Sequence, residues 1–232
     1  MNVLGFDTCF ESCSIAAGRG LGSASMHLEF RFERMSTGQA ERLVPLIGEV
    51  MEGARLRFDE LDRIAVTVGP GTFTGMRIGV AAARALALAL EIPVVTLTSL
   101  EVMALSPELM GFEHEALMVV ADARRGQVYG QCFGSSAGRA TGPPQILDIE
   151  VAAEVGGRGP IVLAGPGAAL VAEEARKRGR QVCAIVPDLL PRMEAALVLA
   201  ATAAPSQSAP KPLYLRAPDA KPQHGTSLER SP

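Results

Sequence analysis

The sequence predicts an α/β chain of two unequal lobes, and three observations carry that expectation. Short apolar runs rich in Val, Ile and Ala recur along the chain, separated by stretches whose apolar residues return at helical spacing. The first runs come in the order strand, strand, strand, helix, strand, helix, strand, and a second set of runs follows after about residue 105. Finally, 232 residues with 48% hydrophobic content suffice for one large core or two moderate ones.

Taken in order, "NVLGFDT" (2–8) and "SCSIAAG" (12–18) predict a hairpin, and "SMHLEFRFER" (25–34) a third strand. A helix is expected over roughly Gln39–Ala54, with Pro45 early enough to be tolerated. "DRIAVTV" (62–68) and "PVVTL" (93–97) read as buried parallel strands, joined by a helix that begins near Gly75 and ends at Leu90. This is the order of a ribonuclease-H-like half. The second set comprises "ALMVVAD" (116–122), "GQVYGQCF" (near 127–134), "QILDIE" (145–150), "PIVLAG" (160–165) and "VCAIVP" (182–187), with a helix over Ala168–Arg178. The expected boundaries are a first lobe over 1–104, a smaller, degenerate second lobe over 105–201 whose last helix packs back on the first, and a tail over 202–232. The tail is rich in Ala, Pro, Ser and Lys; within it "PLYLR" (212–216) is expected to dock through Tyr214, with residues after about Ala217 mobile.

Charge and cysteine usage narrow the function. A formal net charge of −3 argues against a protein that holds RNA or DNA alone through a broad basic face. Cys9, Cys13, Cys132 and Cys183 form no C-x-x-C pair and no zinc spacing, which reads as reduced thiols in a cytoplasmic protein. The longest apolar run, Ile78–Leu90, is interrupted by Arg84 and falls short of a membrane span. His27, His114 and His224 lie far apart, no H-x-x-x-H pair is present, and no G-x-S-x-G elbow occurs, so no metal site and no hydrolase is expected.

The segment "VGPGTFTGMRIGV" (68–80) reads as a strand end, a glycine-rich turn and the first turn of a helix. Gly69, Pro70, Gly71 and Gly75 shape the turn, and Thr72 or Thr74 can cap the helix. No Lys or Arg lies inside the loop and G-K-[ST] is lacking, so it is no Walker A loop. Two uses stay open: setting the angle at which the helix leaves the sheet, or holding an anion at the helix start.

The hairpin with "FDT" (6–8), the "QAERLVPLI" helix (39–47), "VGPGTFTGMRIGVAAARALAL" (68–88), "DARRGQVYG" (122–130) and the late "PLYLR" together resemble the TsaB (YeaZ) family, over most of residues 1–216. The resemblance implies two ribonuclease-H-like lobes of the actin, Hsp70 and sugar kinase superfamily. It implies a non-catalytic scaffold that activates its paralogue TsaD in making N6-threonylcarbamoyladenosine beside the anticodon of tRNA. TsaE is the implied third component, tRNA is met through the complex, and a homodimer forms when TsaD is absent. No cofactor is implied for the chain alone, with ATP and Mg²⁺ reserved for the complex. The alternative within the superfamily is an ATP-dependent small-molecule kinase using Asp7 and Asp122 with Mg²⁺.

The superfamily pattern gives each candidate residue two readings. Asp7 and Thr8 either hold Mg²⁺ and approach phosphates, or Asp7 accepts backbone N–H bonds in a turn. With Gly69, Gly71, Thr72 and Asp122 they form a candidate vestigial nucleotide or anion site. Arg124 and Arg125 stand where a superfamily phosphate hairpin places glycines and a small hydroxyl. "LAGPGAAL" (163–170) is either a remnant of the adenosine element or an ordinary strand-to-helix turn. TsaD carries a histidine pair for its metal, whereas this chain has Gln39-Ala40-Glu41 at the nearest corresponding helix. For partner docking, the expected surface is a small-residue stripe, Gly75, Gly79, Ala83 and Ala87, with Met76 and Val80 beside it and Leu43, Val44, Ile47 and Gly48 on the preceding helix; the alternative is that one face of each helix, Leu43, Leu46, Ile47, Val50 and Met51 on the first, packs on the chain's own sheet.

Overall fold

The computed structural model describes residues 1–112, 115–134 and 140–216; His114, His224 and the tail beyond Arg216 lie outside the described residues. In the first lobe, β1 (Val3–Asp7), β2 (Ser12–Arg19) and β3 (His27–Arg34) form an antiparallel meander. Two further strands, β4 (Arg63–Thr67) and β5 (Val94–Leu97), add in parallel beside β1, giving the order β3-β2-β1-β4-β5. One face of this sheet is covered by α1 (Gln39–Gly53) and α2 (Phe73–Leu90), with Leu4, Phe6, Ile15, Leu46, Val50 and Ile64 among the buried side chains between them.

The chain then enters α3 (Ser99–Ala104), which lies between the two sheets: Val102 belongs to the first lobe's core, Leu100 and Met103 to the second's. In the second lobe, β6 (Ala116–Arg124), β7 (Gln127–Gly134) and β8 (Gln145–Asp148) are antiparallel, and β9 (Ile161–Ala164) and β10 (Val182–Val186) add in parallel beside β6. The order β10-β9-β6-β7-β8 is the first lobe's order repeated. One face carries α4 (Ile149–Ala152) and α5 (Ala168–Lys177). The last helix, α6 (Met193–Thr202), leaves this lobe and lays Met193, Ala196, Leu197 and Ala200 on the open face of the first sheet. Burying those side chains is worth about 2 kcal/mol for each large one, so α6 belongs energetically to the lobe it covers.

Local chemistry sets the element ends. α2 begins at Phe73 because Thr72 is extended and its hydroxyl oxygen accepts from the Gly75 N–H at 3.1 Å. α1 runs through Pro45, which is exposed, so the carbonyl left without its partner faces water. The strand expected over 145–150 stops at Asp148, which is the N-cap residue of α4, and acidic Glu150 sits in that helix's first turn. α2 is long and apolar enough by length and composition to cross a membrane, yet Gly75, Met76, Gly79, Val80 and Ala83 are buried against the protein's own sheet.

Beyond α6 the chain runs back along the first lobe. Ser206 N–H donates to the Val94 carbonyl at 2.8 Å, and Leu213 N–H to the Val68 carbonyl at 2.7 Å.

Candidate functional site

Between the lobes lies a cleft of about 690 Å³, bordered by Gly71 and Thr72 from the first lobe and Asp122, Arg124 and Tyr129 from the second. Its charged lining is mixed: Glu11, Asp122 and Asp188 against Arg34 and Arg124.

The turn that ends β1 gives Phe10 and Glu11 to this cleft, whereas Asp7 and Thr8 at its start lie off the lining. Asp7 is wholly buried; one carboxylate oxygen accepts from the Thr67 hydroxyl and the other from the Cys9 N–H at 3.2 Å. Loss of water raises its pKa from 3.8 to about 6, against the opposing pull of the hydrogen bonds from Thr67 and Cys9. The Thr8 hydroxyl donates to the Gly75 carbonyl at 2.7 Å, and Thr72 N–H donates to the Cys9 carbonyl at 2.7 Å. A Cβ on Gly71 would lie 2.3 Å from the Cys9 carbonyl oxygen, and one on Gly75 1.9 Å from that of Thr8. The glycines of the 68–80 loop therefore admit the backbone of the β1–β2 turn. Neither Asp7 nor Thr8 lines the cleft, and Gly69 lies against Met76 and the Leu213 carbonyl.

The corresponding turn of the second lobe faces the cleft. Register slips between Asp122 and Arg124, and the hairpin then turns through Arg124, Arg125 and Gly126 at φ of 66°, 58° and 72°. Both arginines thus adopt the left-handed backbone that glycine favours, at a cost on the order of 1 kcal/mol each. The Asp122 carboxylate accepts from the Arg124 N–H at 2.7 Å, and the Arg124 guanidinium lies 4.0 Å from it. At the 163–170 turn, Gly165 (φ 96°) packs on β6, where a Cβ would be 2.4 Å from the Val120 carbonyl oxygen. Gly167 N–H donates to that same carbonyl at 3.0 Å.

These residues do not fit a magnesium nucleotide held as in the superfamily's kinases. The carboxylate that would face the metal is enclosed, the loop glycines are filled by the protein's own backbone, and two guanidinium side chains occupy the second turn. Among the described residues no cluster of His, Cys, Asp and Glu could hold a metal ion.

The expected docking stripe divides when placed in three dimensions. Leu43, Ile47, Gly75, Met76, Gly79, Val80 and Ala83 are buried in the first lobe itself, the own-core packing expected of one face of each helix. The small residues permit α2 to approach its own sheet: a Cβ on Gly79 would stand 2.8 Å from the Thr8 hydroxyl oxygen. Val44 and Gly48 do point outward, and Ala87 is half-buried. The outward face of α2 is instead Arg77, Ala81, Arg84 and Leu88, one helical stripe whose Leu88 is 82% exposed. Sequence periodicity marks that α2 is apolar all round, and only the register against β4 decides which side is inside.

Thr67, Phe73 and Arg216 escaped notice in the sequence. Thr67 is one more strand residue until Asp7 is placed beside it. Phe73 and Arg77 form a cluster with Tyr214: the Arg77 guanidinium lies 3.6 Å from the Phe73 ring centre, and its Nε–H donates to the Tyr214 hydroxyl at 2.7 Å.

Fold and site together define a class: a chain of two ribonuclease-H-like lobes of the actin, Hsp70 and sugar kinase superfamily in which the start of the β1–β2 turn is packed against the glycine loop and the β6–β7 turn faces the cleft. Residues 33–142 match the family model of TsaD, tRNA N6-adenosine threonylcarbamoyltransferase. The chain is 35% identical to the tRNA threonylcarbamoyladenosine biosynthesis protein TsaB of Haemophilus influenzae, over 56% of this chain and 52% of that protein. It is also 35% identical to an uncharacterized protein of Mycobacterium tuberculosis, over 79% of this chain and 77% of that one. The solved structure of YeaZ from Pseudomonas aeruginosa superposes with a TM-score of 0.74 at 29% identity, covering 86% of this chain and 90% of YeaZ. The chain thus belongs to the TsaB/YeaZ family, although its match spans about half the length of the relatives named TsaB.

Proposed function

We propose that this chain is a non-catalytic subunit of a cytoplasmic tRNA-modifying assembly, docking on TsaD and supporting formation of N6-threonylcarbamoyladenosine beside the anticodon. One observation carries the reading: the turn that would hold a nucleotide's metal is closed by the protein's own backbone, while an apolar helix face stays open. The names of the TsaB relatives and the TsaD family match supply the chemistry to which this docking would contribute. TsaE completes the assembly, tRNA is reached through the complex, and any ATP and Mg²⁺ act there rather than on this chain alone. In the absence of TsaD the same face, Val44, Gly48, Ala81, Leu88 and the edge of Ala87, closes on a second copy, which makes homodimer and heterodimer mutually exclusive. An outward face that carries exposed Val44 and Leu88 with small residues beside them and Arg77 and Arg84 along it suits a protein–protein contact, where Arg and apolar side chains are used together. The kinase alternative needs Asp7 to reach Mg²⁺, and Asp7 lies behind the wall of the cleft.

The test is reconstitution with TsaD, TsaE and tRNA, with and without this chain. Modification should require the chain, and the chain alone should turn over ATP far below about 1 s⁻¹. Unchanged modification without it, or magnesium-dependent turnover by the isolated chain that disappears in Asp7→Ala, would overturn the proposal.

A further inference from the structure

We propose that residues 211–216 form a latch across one end of the interlobe cleft, fixing the angle between the lobes. The segment is anchored on both sides. On the first lobe, Leu213 N–H donates to Val68 at the base of the glycine loop, and the Tyr214 ring packs on Phe73 at 5.3 Å between centres. Its hydroxyl accepts from Arg77, whose guanidinium also lies 5.8 Å from the Tyr214 ring centre.

Two residues further on, Arg216 crosses to the second lobe. Its Nη1 donates to the Ala123 carbonyl at 2.7 Å, and its Nη2 to the Gln127 side-chain oxygen at 2.6 Å and the Arg124 carbonyl at 3.5 Å. Ala123 is the residue that the slip between Asp122 and Arg124 takes out of the β6–β7 register. Arg216 therefore donates to the carbonyl of a residue that the β6–β7 register skips. A guanidinium suits the task, because its planar fork meets several oxygens at once.

The geometry has a mechanical consequence. The covalent crossings between the lobes are the α3 segment and the segment from β10 to α6. α3 is packed in the cores of both lobes, so rotation about the crossings is small and any widening shows first at the cleft rim. Widening the cleft separates Gly71 and Thr72 from Asp122 and Arg124, and the 211–216 segment joins the residues beside these two rims, Val68, Phe73 and Arg77 to Ala123, Arg124 and Gln127. Opening must therefore break either the Arg216 contacts or the Tyr214 contacts. Arg77 also belongs to the outward stripe of α2, so a partner seated on that face touches the latch; this second consequence rests on the docking proposal, whereas the latch itself does not.

The test uses the chain alone. Arg216→Ala releases the second-lobe end and Tyr214→Ala the first-lobe end. Both segments are at the surface, so the variants should keep the unfolding midpoint of the parent core, and Arg216→Lys, which retains charge but loses the fork, should fall between. In both alanine variants, hydrogen exchange over 122–127 is expected to rise about tenfold with strands β1 and β4 unchanged. Small-angle scattering should show a larger radius of gyration. Faster exchange with unchanged scattering would reduce Arg216 to a local cap on the turn and overturn the latch. So would the absence of any change in either variant.

Discussion

The β1–β2 turn of the first lobe and the β6–β7 turn of the second occupy equivalent places in two sheets of the same strand order, and they meet different neighbours. The first is enclosed by the glycine loop over Asp7–Cys9, with Asp7 desolvated and Thr8 bonded to Gly75, and only Phe10 and Glu11 reach the cleft. The second is open to the cleft, carries Arg124 and Arg125 in left-handed backbone, and is held from outside by Arg216. Strand order alone would give both turns the same job. What separates them is the neighbour each turn packs against, and that depends on a few glycines and one late arginine.

The largest expected effect follows from the enclosed turn. Gly75→Val directs a side chain into the Thr8 carbonyl and should cost more than about 4 kcal/mol, or abolish folding, since the obstruction is backbone. Gly126→Ala in the open turn, where nothing lies within 4 Å of the added Cβ, should cost only about 1 kcal/mol for its positive φ. Denaturant unfolding of the two variants measures the contrast. Equal costs would erase the distinction between the turns.

Asp7 sharpens the comparison through pH. Its folded pKa of about 6 lies above its ordinary 3.8, so between those values the folded state keeps a proton that the unfolded state has released. Stability from this group is therefore greatest below about pH 4, falls as pH rises to about 6 and stays lower above it. Between pH 4.5 and 7 the parent should lose about 2 kcal/mol more than Asp7→Asn, which cannot ionise. Parallel urea midpoints across that range would show that Asp7 is solvated. The smallest effect belongs to the open turn: Arg124→Gly relieves the left-handed strain and should raise stability by less than about 1 kcal/mol, read as a small upward shift in Tm.

Much of this architecture was legible in the residues. The strand runs "SCSIAAG" and "DRIAVTV" correspond to β2 and β4 because buried strands need β-branched and small apolar residues whatever surrounds them. Thr72 showed itself as a helix cap because capping is local. Which way the small-residue stripe faces is not legible, for the opposite reason. Gly75, Gly79 and Ala83 announce a close approach, but a small residue does not name its neighbour, and here the neighbours are Thr8 and Val66 of the same lobe. Asp7 was open to two readings until Thr67 could be placed against it, sixty residues away. Arg216 was invisible for the same reason, since its partners Ala123 and Gln127 lie about ninety residues earlier.

The central claim, that the chain works by docking through the outward face of α1 and α2, is tested most directly by the affinity for TsaD of a variant carrying Val44→Asp and Leu88→Asp. Both side chains are exposed, so unfolding stability should stay within about 0.5 kcal/mol of the parent. Binding should weaken by at least about 100-fold, a loss of about 2.7 kcal/mol. A folded variant that binds TsaD as tightly as the parent would contradict the claim.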